Sequence, residues 1–384
     1  MPTGPGDVLD LVRLGRARTR AEILDLTGLS RMTVAQRVDG LLESGLLVES
    51  PGRTGTGGRR PRTLQFHVDH ARVAVATVNT THLRTAVTDL AGRILAEDHL
   101  DIDLAAGPDP TLTAISRSCG DLMRASTGGP QHPCGFGISV PGPVDPVSGR
   151  PSQPPLMPGW DGYPIAEHLQ SDFPRVPVLT ANDADAAAVG EHARDHLGSR
   201  ALCLVKVDTG IGSGIVIDGR PYPGSDGGAG DIGHVRLVDH GDALCQCGSY
   251  GCLAAVASGR AVARALTALG TPAASGRDVG ALLAAGDADA ARLTQEAGRR
   301  IGEVMATVVS VLNPSVVVIG GALASAPLLA GIRETLYRLS LPRATRHLAL
   351  QLGSLGEDAA IAGLAQLVVD RRFGAPAVNA LLGG

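Results

Sequence analysis

Residues 19–45 read TRAEILDLTGLSRMTVAQRVDGLLESG, and the organisation of the N-terminal part of the chain follows from this stretch. Thr19 and Glu22 have the spacing of a capping box, in which each side chain bonds the other residue's backbone N–H and opens a helix. Leu26-Thr-Gly28-Leu29 ends that helix in a turn, and Ser30 is placed to cap a third helix running to about Ser44. At roughly 100° per residue, Val34, Val38, Leu41 and Leu42 share one face of that helix. Thr33, Gln36 and Gly40 face the other way, with Arg37 on the flank. Upstream, residues 7–16 form a short amphipathic stretch around Val8, Leu9, Leu11 and Val12. Downstream, Gly45 stops the third helix, 46–49 and 63–68 have strand character, and a Gly- and Arg-rich segment, 51–62, joins them. Two helices, a tight turn, a third helix and a two-stranded wing make a winged helix-turn-helix over residues 1–68.

The physics of this module suits double-stranded DNA. The third helix can lie in a major groove with Arg31, Thr33, Gln36 and Arg37 near base edges. The wing, Gly57-Gly-Arg-Arg-Pro-Arg62, can send Arg59, Arg60 and Arg62 onto phosphates or into a minor groove. A helical protein-interaction module is the competing reading, but it explains neither the polar outer face nor the basic wing. Net charge agrees once it is divided. The whole chain of 384 residues carries −4, yet residues 1–66 hold ten arginines against seven acids, a net of +3. A basic module therefore sits on an acidic body. Aromatic residues make up only 2%, which excludes a single-strand binder built on stacking platforms. Lys206 is the only lysine, a bias expected of a high-GC genome.

From Val73 onward, apolar strands alternate with helices, the pattern of an α/β architecture. Strands are expected at 73–78, 85–90, 134–140, 176–180, 202–207, 215–217 and 316–319. Helices are expected at 110–125, 184–196, 253–268, 290–312 and 358–372, and Gly-rich turns at Pro141-Gly142, 210–214 and Gly320-Gly321. Residues 304–332 carry no charge, but Asn313-Pro314 and Gly320-Gly321 break them, so no membrane span is expected. The start of the chain lacks a charged and apolar leader, which points to a cytoplasmic protein. Cys119, Cys134 and Cys203 sit in apolar surroundings and read as core. His234, Cys245, Cys247 and Cys252 instead have the donor set and spacing of one tetrahedral Zn²⁺ site. With four protein ligands it leaves no open position and is structural.

Five motifs stand in order: Gly137-Ile-Ser-Val-Pro-Gly-Pro-Val-Asp145, Ala181-Asn-Asp-Ala-Asp-Ala-Ala-Ala188, Gly227-Gly-Ala-Gly-Asp-Ile-Gly-His234, Cys245-Gln-Cys-Gly-Ser-Tyr-Gly-Cys252 and Asn313-Pro-Ser-Val-Val-Val-Ile-Gly-Gly321. In these the chain resembles the ROK family (repressors, open reading frames and sugar kinases), and in particular its transcriptional regulators, from about residue 7 to 372. The resemblance implies the actin-like sugar-kinase fold behind the winged helix. Its first α/β lobe would span 69–182, with a C-terminal helix, 357–372, packing back on it; a second lobe with the zinc loop would span 183–356. It also implies a sugar site at Asn182, Asp183, Asp231 and His234, whose carboxylates and carboxamide can each bond two hydroxyls. In family kinases the Asp matching Asp183 is the general base.

The chain departs from the kinase pattern where phosphate chemistry would occur. The family's first phosphate loop reads Asp-x-Gly-Gly-Thr, and Thr77-Val-Asn-Thr-Thr81 stands there. Thr77 replaces the Mg²⁺-serving Asp, and Asn79 and Thr80 replace the two glycines. Asp183 is then a vestigial base, and no useful kinase activity is expected. Asp231 is one methylene shorter than the family's Glu, and Cys252-Leu-Ala-Ala lacks the carboxylate that commonly follows the last Cys. The resemblance thus implies a regulator, in the main a repressor of carbohydrate-uptake or catabolism genes. It would be a homo-oligomer, dimer or tetramer, that binds palindromic operator DNA and answers to a small sugar or sugar phosphate. A sugar kinase with an added DNA-binding domain and an effector-independent DNA-binding protein are the alternatives.

Overall fold

The computed structural model describes residues 4–51, 62–80, 82–126, 132–155 and 157–383. The chain opens with α1 (Pro5–Arg13), α2 (Arg20–Thr27), α3 (Arg31–Glu43), β1 (Leu47–Pro51) and β2 (Arg62–Phe66). The local signals act as chemistry requires. Glu22 N–H donates to Thr19 Oγ1 at 3.2 Å and Thr19 N–H to Glu22 Oε2 at 3.1 Å, closing the capping box. Gly28 ends α2 at φ +68°, a left-handed conformation that favours glycine. Ser30 Oγ accepts the Thr33 N–H at 3.1 Å and starts α3. β1 and β2 pair antiparallel, Leu47 opposite Phe66.

The first lobe contains β3 (Val73–Val78), β4 (His82–Thr88), β5 (Ile94–Asp101), α4 (Pro108–Ala125), β6 (Gly135–Val140), α5 (Ile165–Asp172) and β7 (Val178–Asn182). α6 (Asp183–Asp195) leads into the second. There follow β8 (Ala201–Val207), β9 (Ile211–Ile217), β10 (Arg220–Pro221), α7 (Leu253–Ala257), α8 (Gly259–Ala268), α9 (Gly276–Ala284), α10 (Ala288–Leu312), β11 (Val316–Gly320), α11 (Ala326–Leu339), α12 (Pro342–Thr345) and β12 (Ala349–Leu352). α13 (Ala359–Phe373) and α14 (Ala375–Leu382) close the chain. The two five-stranded sheets have the same topology, β5-β4-β3-β6-β7 and β10-β9-β8-β11-β12. In each, the first three strands form an antiparallel meander and the last two join parallel to the first.

α6 packs on β8 and β9 of the second sheet, and α13 packs on β3 and β6 of the first. The two helices also pack on each other, and glycine makes the crossing possible. A Cβ at Gly363 would overlap the Ala186 carbonyl oxygen, and one at Gly190 would overlap that of Ala359. Gly214 lets the start of α6 lie on β9 in the same way, against the Ala184 carbonyl.

The winged helix shares a core with the first lobe. Val8, Leu9, Ile23, Val38, Leu41 and Leu64 form one buried cluster with Val368, Val369, Phe373 and Val378 of α13 and α14. Polar contacts reinforce it: Arg13 pairs with Asp370 at 2.6 Å, and Gly6 N–H donates to Asn379 Oδ1 at 2.7 Å.

The structure corrects three expectations. Most of the expected 210–214 turn is strand, because β9 begins at Ile211. The expected helix at 253–268 is two, because Ser258 is extended (ψ 165°) and its Oγ caps α8. β5 was not expected, because as an edge strand it exposes every second residue and half its positions are polar. Among the described residues no helix is long and apolar enough to cross a membrane. Gly363→Ala should destabilise the fold by about 1–3 kcal/mol, the usual cost of overpacking. Denaturant unfolding measures it, and an unchanged midpoint would contradict the tight crossing.

Candidate functional site

A cavity of about 630 Å³ lies between the lobes, within the range of roughly 300–1,000 Å³ typical of small-molecule sites. Asn182, Asp183, Asp231 and His234 all line it, although β7, α6 and a short 3₁₀ turn at Ile232–His234 supply them. Asn182 is largely spent on structure. Its Oδ1 caps α6 by accepting the Ala184 and Asp185 N–H groups at 2.8 and 3.2 Å, and its Nδ2 donates to the Gly142 carbonyl at 3.0 Å. It keeps one N–H for a ligand. Asp231 is exposed to the cleft, yet desolvation by the walls raises its pKa, and His234 opposes the shift. Ala254 and Ala255 also line the cavity and bring no carboxylate to it.

Composition alone accounts for Lys206 as a bias of the genome; the structure gives it a place in the site. It extends from β8 and puts Nζ 2.5 Å from Asp183 Oδ2 and 3.7 Å from Asp208. Burial alone would lower its pKa, but Asp183 and Asp208 more than offset this and hold it charged. The ammonium pairs with one of the two carboxylate oxygens of Asp183, Oδ2. The only signal in the sequence was a single lysine just ahead of a Gly-rich segment.

Asp185 was also missed. It is buried two residues further along α6, and among the described residues its Oδ1 has no hydrogen-bond partner. Burial first, then the charge of Asp183, pushes its pKa up to about 7, against a bond from the Ile215 backbone.

On the side where phosphates would lie, Thr77 is buried at the end of β3. Asn79 folds back on His82, with its N–H on the His82 carbonyl at 2.9 Å and Nδ2 3.0 Å from Nε2. Neither Asn79 nor Thr80 has a positive φ, so these two positions do not use the conformation that favours glycine. Arg84 and Arg277, which line this part of the cleft, are bound to Asp358 at 2.6 Å and Glu357 at 3.0 Å.

The four expected metal ligands converge. The donor atoms of His234, Cys245, Cys247 and Cys252 lie within 4.8 Å of one another. Cys247 and Cys252 sulfurs are 3.8 Å apart, and Cys245 Sγ is 3.9 Å from His234 Nδ1. A tetrahedral site with metal–sulfur bonds near 2.3 Å requires sulfur–sulfur edges of about 3.8 Å, so the donor set fits a metal ion of this kind. The Ser249 backbone N–H lowers the Cys247 pKa, whereas burial raises that of Cys252. Nδ1 faces the thiols, leaving Nε2 of His234 for the cavity.

On the winged helix, Arg31 and Gln36 are exposed on α3, as is Met32. Thr33 is half-buried with its hydroxyl 2.8 Å from that of Ser30. Arg37 lies half-buried on the flank, and among the described residues its buried Nη1 has no partner. Arg62 pairs with Glu49 at 2.8 Å. Arg59 and Arg60 lie outside the described residues.

The chain matches the ROK family model over residues 76–371, and it belongs to the ROK family. It is 28% identical to a putative xylose repressor of Caldicellulosiruptor sp. (strain Rt8B.4), over 94% of each chain. It is 29% identical to a glucokinase of Halalkalibacterium halodurans over 76% of this chain and 93% of that protein. Among solved structures it superposes on a ROK family transcriptional regulator, a homologue of the E. coli MLC protein. That match has a TM-score of 0.81 at 25% identity and covers 99% of this chain and 98% of that one.

Cys247→Ser should lose bound metal by elemental analysis and loosen the loop around His234; full metal content would refute the ligand set. The raised pKa of Asp185 has a definite sign. The protonated form is favoured in the fold, so its contribution is complete below the unfolded value near 4 and is lost as pH rises through about 7. Asp185→Asn should therefore keep its melting temperature better than the parent between about pH 4 and 7. Parallel curves in calorimetry would count against the assignment.

Proposed function

We propose that the chain is a sugar-responsive transcriptional repressor of carbohydrate-uptake or catabolism genes, acting in the cytoplasm. One observation carries the reading: the winged helix and the cavity are joined by the same pair of crossed helices. α6 begins at Asn182 and Asp183, α13 crosses it, and the end of α13 is bonded to the winged helix through Asp370 and Phe373. The full-length likeness to a repressor supports it.

In this reading α3 enters the major groove of a palindromic operator with Arg31, Thr33, Gln36 and Arg37 toward the bases, and Arg59, Arg60 and Arg62 of the wing meet phosphates. A two-fold homo-oligomer presents two such modules. Residues 1–68 form the DNA-binding unit, 69–182 with 357–372 one lobe, and 183–356 the other. Asn182, Asp183, Asp231 and His234 hold the sugar. It acts by preferring one closure of the lobes, since a ligand can shift an equilibrium only by differential affinity. One structural Zn²⁺ on His234, Cys245, Cys247 and Cys252 supplies no reaction step. It fixes the loop that carries His234, while the other ring nitrogen is free for the sugar.

We also propose that the chain has no useful kinase activity. Lys206 pairs with one oxygen of Asp183, and Thr77, Asn79 and Thr80 stand where a phosphate loop would need Asp, Gly and Gly. A coupled phosphorylation assay over hexoses and pentoses should stay well below ~1 s⁻¹, the low end of enzyme turnover. To test the regulator, operator fragments are selected from genomic DNA with the full chain, and affinity is followed by fluorescence anisotropy with and without sugars. Asp231→Asn should bind the same fragments with unchanged affinity but respond to sugar at least tenfold less. DNA affinity indifferent to every sugar would instead favour an effector-independent regulator.

A further inference from the structure

Four basic side chains line the interlobe cavity, and two of them have counter-charges: Lys206 has Asp183 and Asp208, and Arg277 has Glu357. The other two, Arg260 and Arg264, lie one turn apart on the same face of α8. Among the described residues neither guanidinium has a carboxylate within 4.0 Å; Arg264 Nη2 donates to the Ala255 carbonyl at 2.9 Å. Arg260 is half-buried, and desolvation first, then the charge of Arg264, lowers its pKa, with Cys245 opposing. A half-buried cation beside a like charge is an unfavourable arrangement unless an anion completes it.

The surroundings say what kind of anion. Ala254 and Ala255 line the same cavity with small, uncharged side chains, so beside Arg260 and Arg264 there is space and no carboxylate from these two positions. Asp231 and His234 line the same cavity and offer hydroxyl partners. We propose that the cavity takes an anionic sugar, a monosaccharide bearing a phosphate or a carboxylate, with the charged group seated on Arg260 and Arg264 and the ring hydroxyls on Asp183, Asp231 and His234. Guanidinium groups suit both anions, because their N–H donors match the paired oxygens. The proposal rests on the sugar-responsive reading and specifies its ligand class.

The test uses the full, metal-loaded chain and thermal-shift titrations with matched sets: glucose, glucose 6-phosphate and glucuronate; galactose, galactose 6-phosphate and galacturonate; and xylose, xylose 5-phosphate and xylonate. In at least one set an anionic member should bind at least tenfold tighter than its neutral parent, and the preference should weaken with added salt. The phosphate and acid arms separate the two sources of charge. Arg260→Gln should weaken the anionic ligand roughly tenfold or more, as expected for lost bonds to a charged group, and leave any neutral binding within about twofold. Arg260→Lys should recover part of the preference, which distinguishes charge from folding. Neutral members binding as well as or better than anionic ones in every responding set would overturn the proposal and leave the sugar reading intact. No shift with any sugar would overturn both. Loss of zinc from Arg260→Gln, by elemental analysis, would make Arg260 a counter-ion of the thiolate loop and also overturn the proposal.

Discussion

Where α6 and α13 cross, their backbones meet with no side chain between them, Gly363 against the carbonyl of Ala186 and Gly190 against that of Ala359. Each helix belongs to a different sheet, so this contact fixes how the lobes face each other. Such a close approach leaves little room for the helices to slide past each other, because a tightly packed interface moves between discrete arrangements rather than deforming smoothly. The first residues of α6 lie in the cavity and the last of α13 lie against the winged helix. A change at one end must therefore be absorbed at the crossing or appear at the other.

The charges in the cleft divide into settled and unsettled groups. Lys206, Arg84 and Arg277 are each held by carboxylates of the chain itself. Phosphate groups of a nucleotide would have to displace those carboxylates, and a pair deprived of one member in a desolvated site is costly. At Arg260 no carboxylate among the described residues lies within ion-pair distance, and Cys245 is the opposing charge nearby. The cationic groups of the cleft are thus neutralised on the side of Arg84 and Arg277 and less so at Arg260.

The winged helix was legible because its signals are local: the capping box at Thr19 and Glu22, the glycine at 28 and the cap at Ser30 each act within a few residues. The metal cluster was legible for a related reason, since three of its four donors fall within eight residues. Asp183, Asp231 and His234 were legible only through their motifs, because the cavity assembles them from distant parts of the chain. Lys206 and Arg260 belong to no spacing rule. Their roles come from which charges the fold brings near them, and this depends on strands and helices remote in sequence. β5 was hidden for a simpler reason: an edge strand facing water half the time looks polar.

The mode of attachment of the winged helix bears on how its charge is used. A basic module on a flexible linker would find phosphates on its own, and the acidic body would only follow. Here Arg13 is bonded to Asp370, Gly6 to Asn379, and Phe66 stacks edge-on to Phe373 at 6.4 Å, all over a shared apolar core. The orientation of the module is then the orientation of the first lobe. An acidic body repelled by the duplex helps to turn the basic face toward it. With the module fixed to its lobe, a two-fold pair of chains of the kind proposed would read operator half-sites at a spacing the lobes determine, and closure of the lobes would change that spacing.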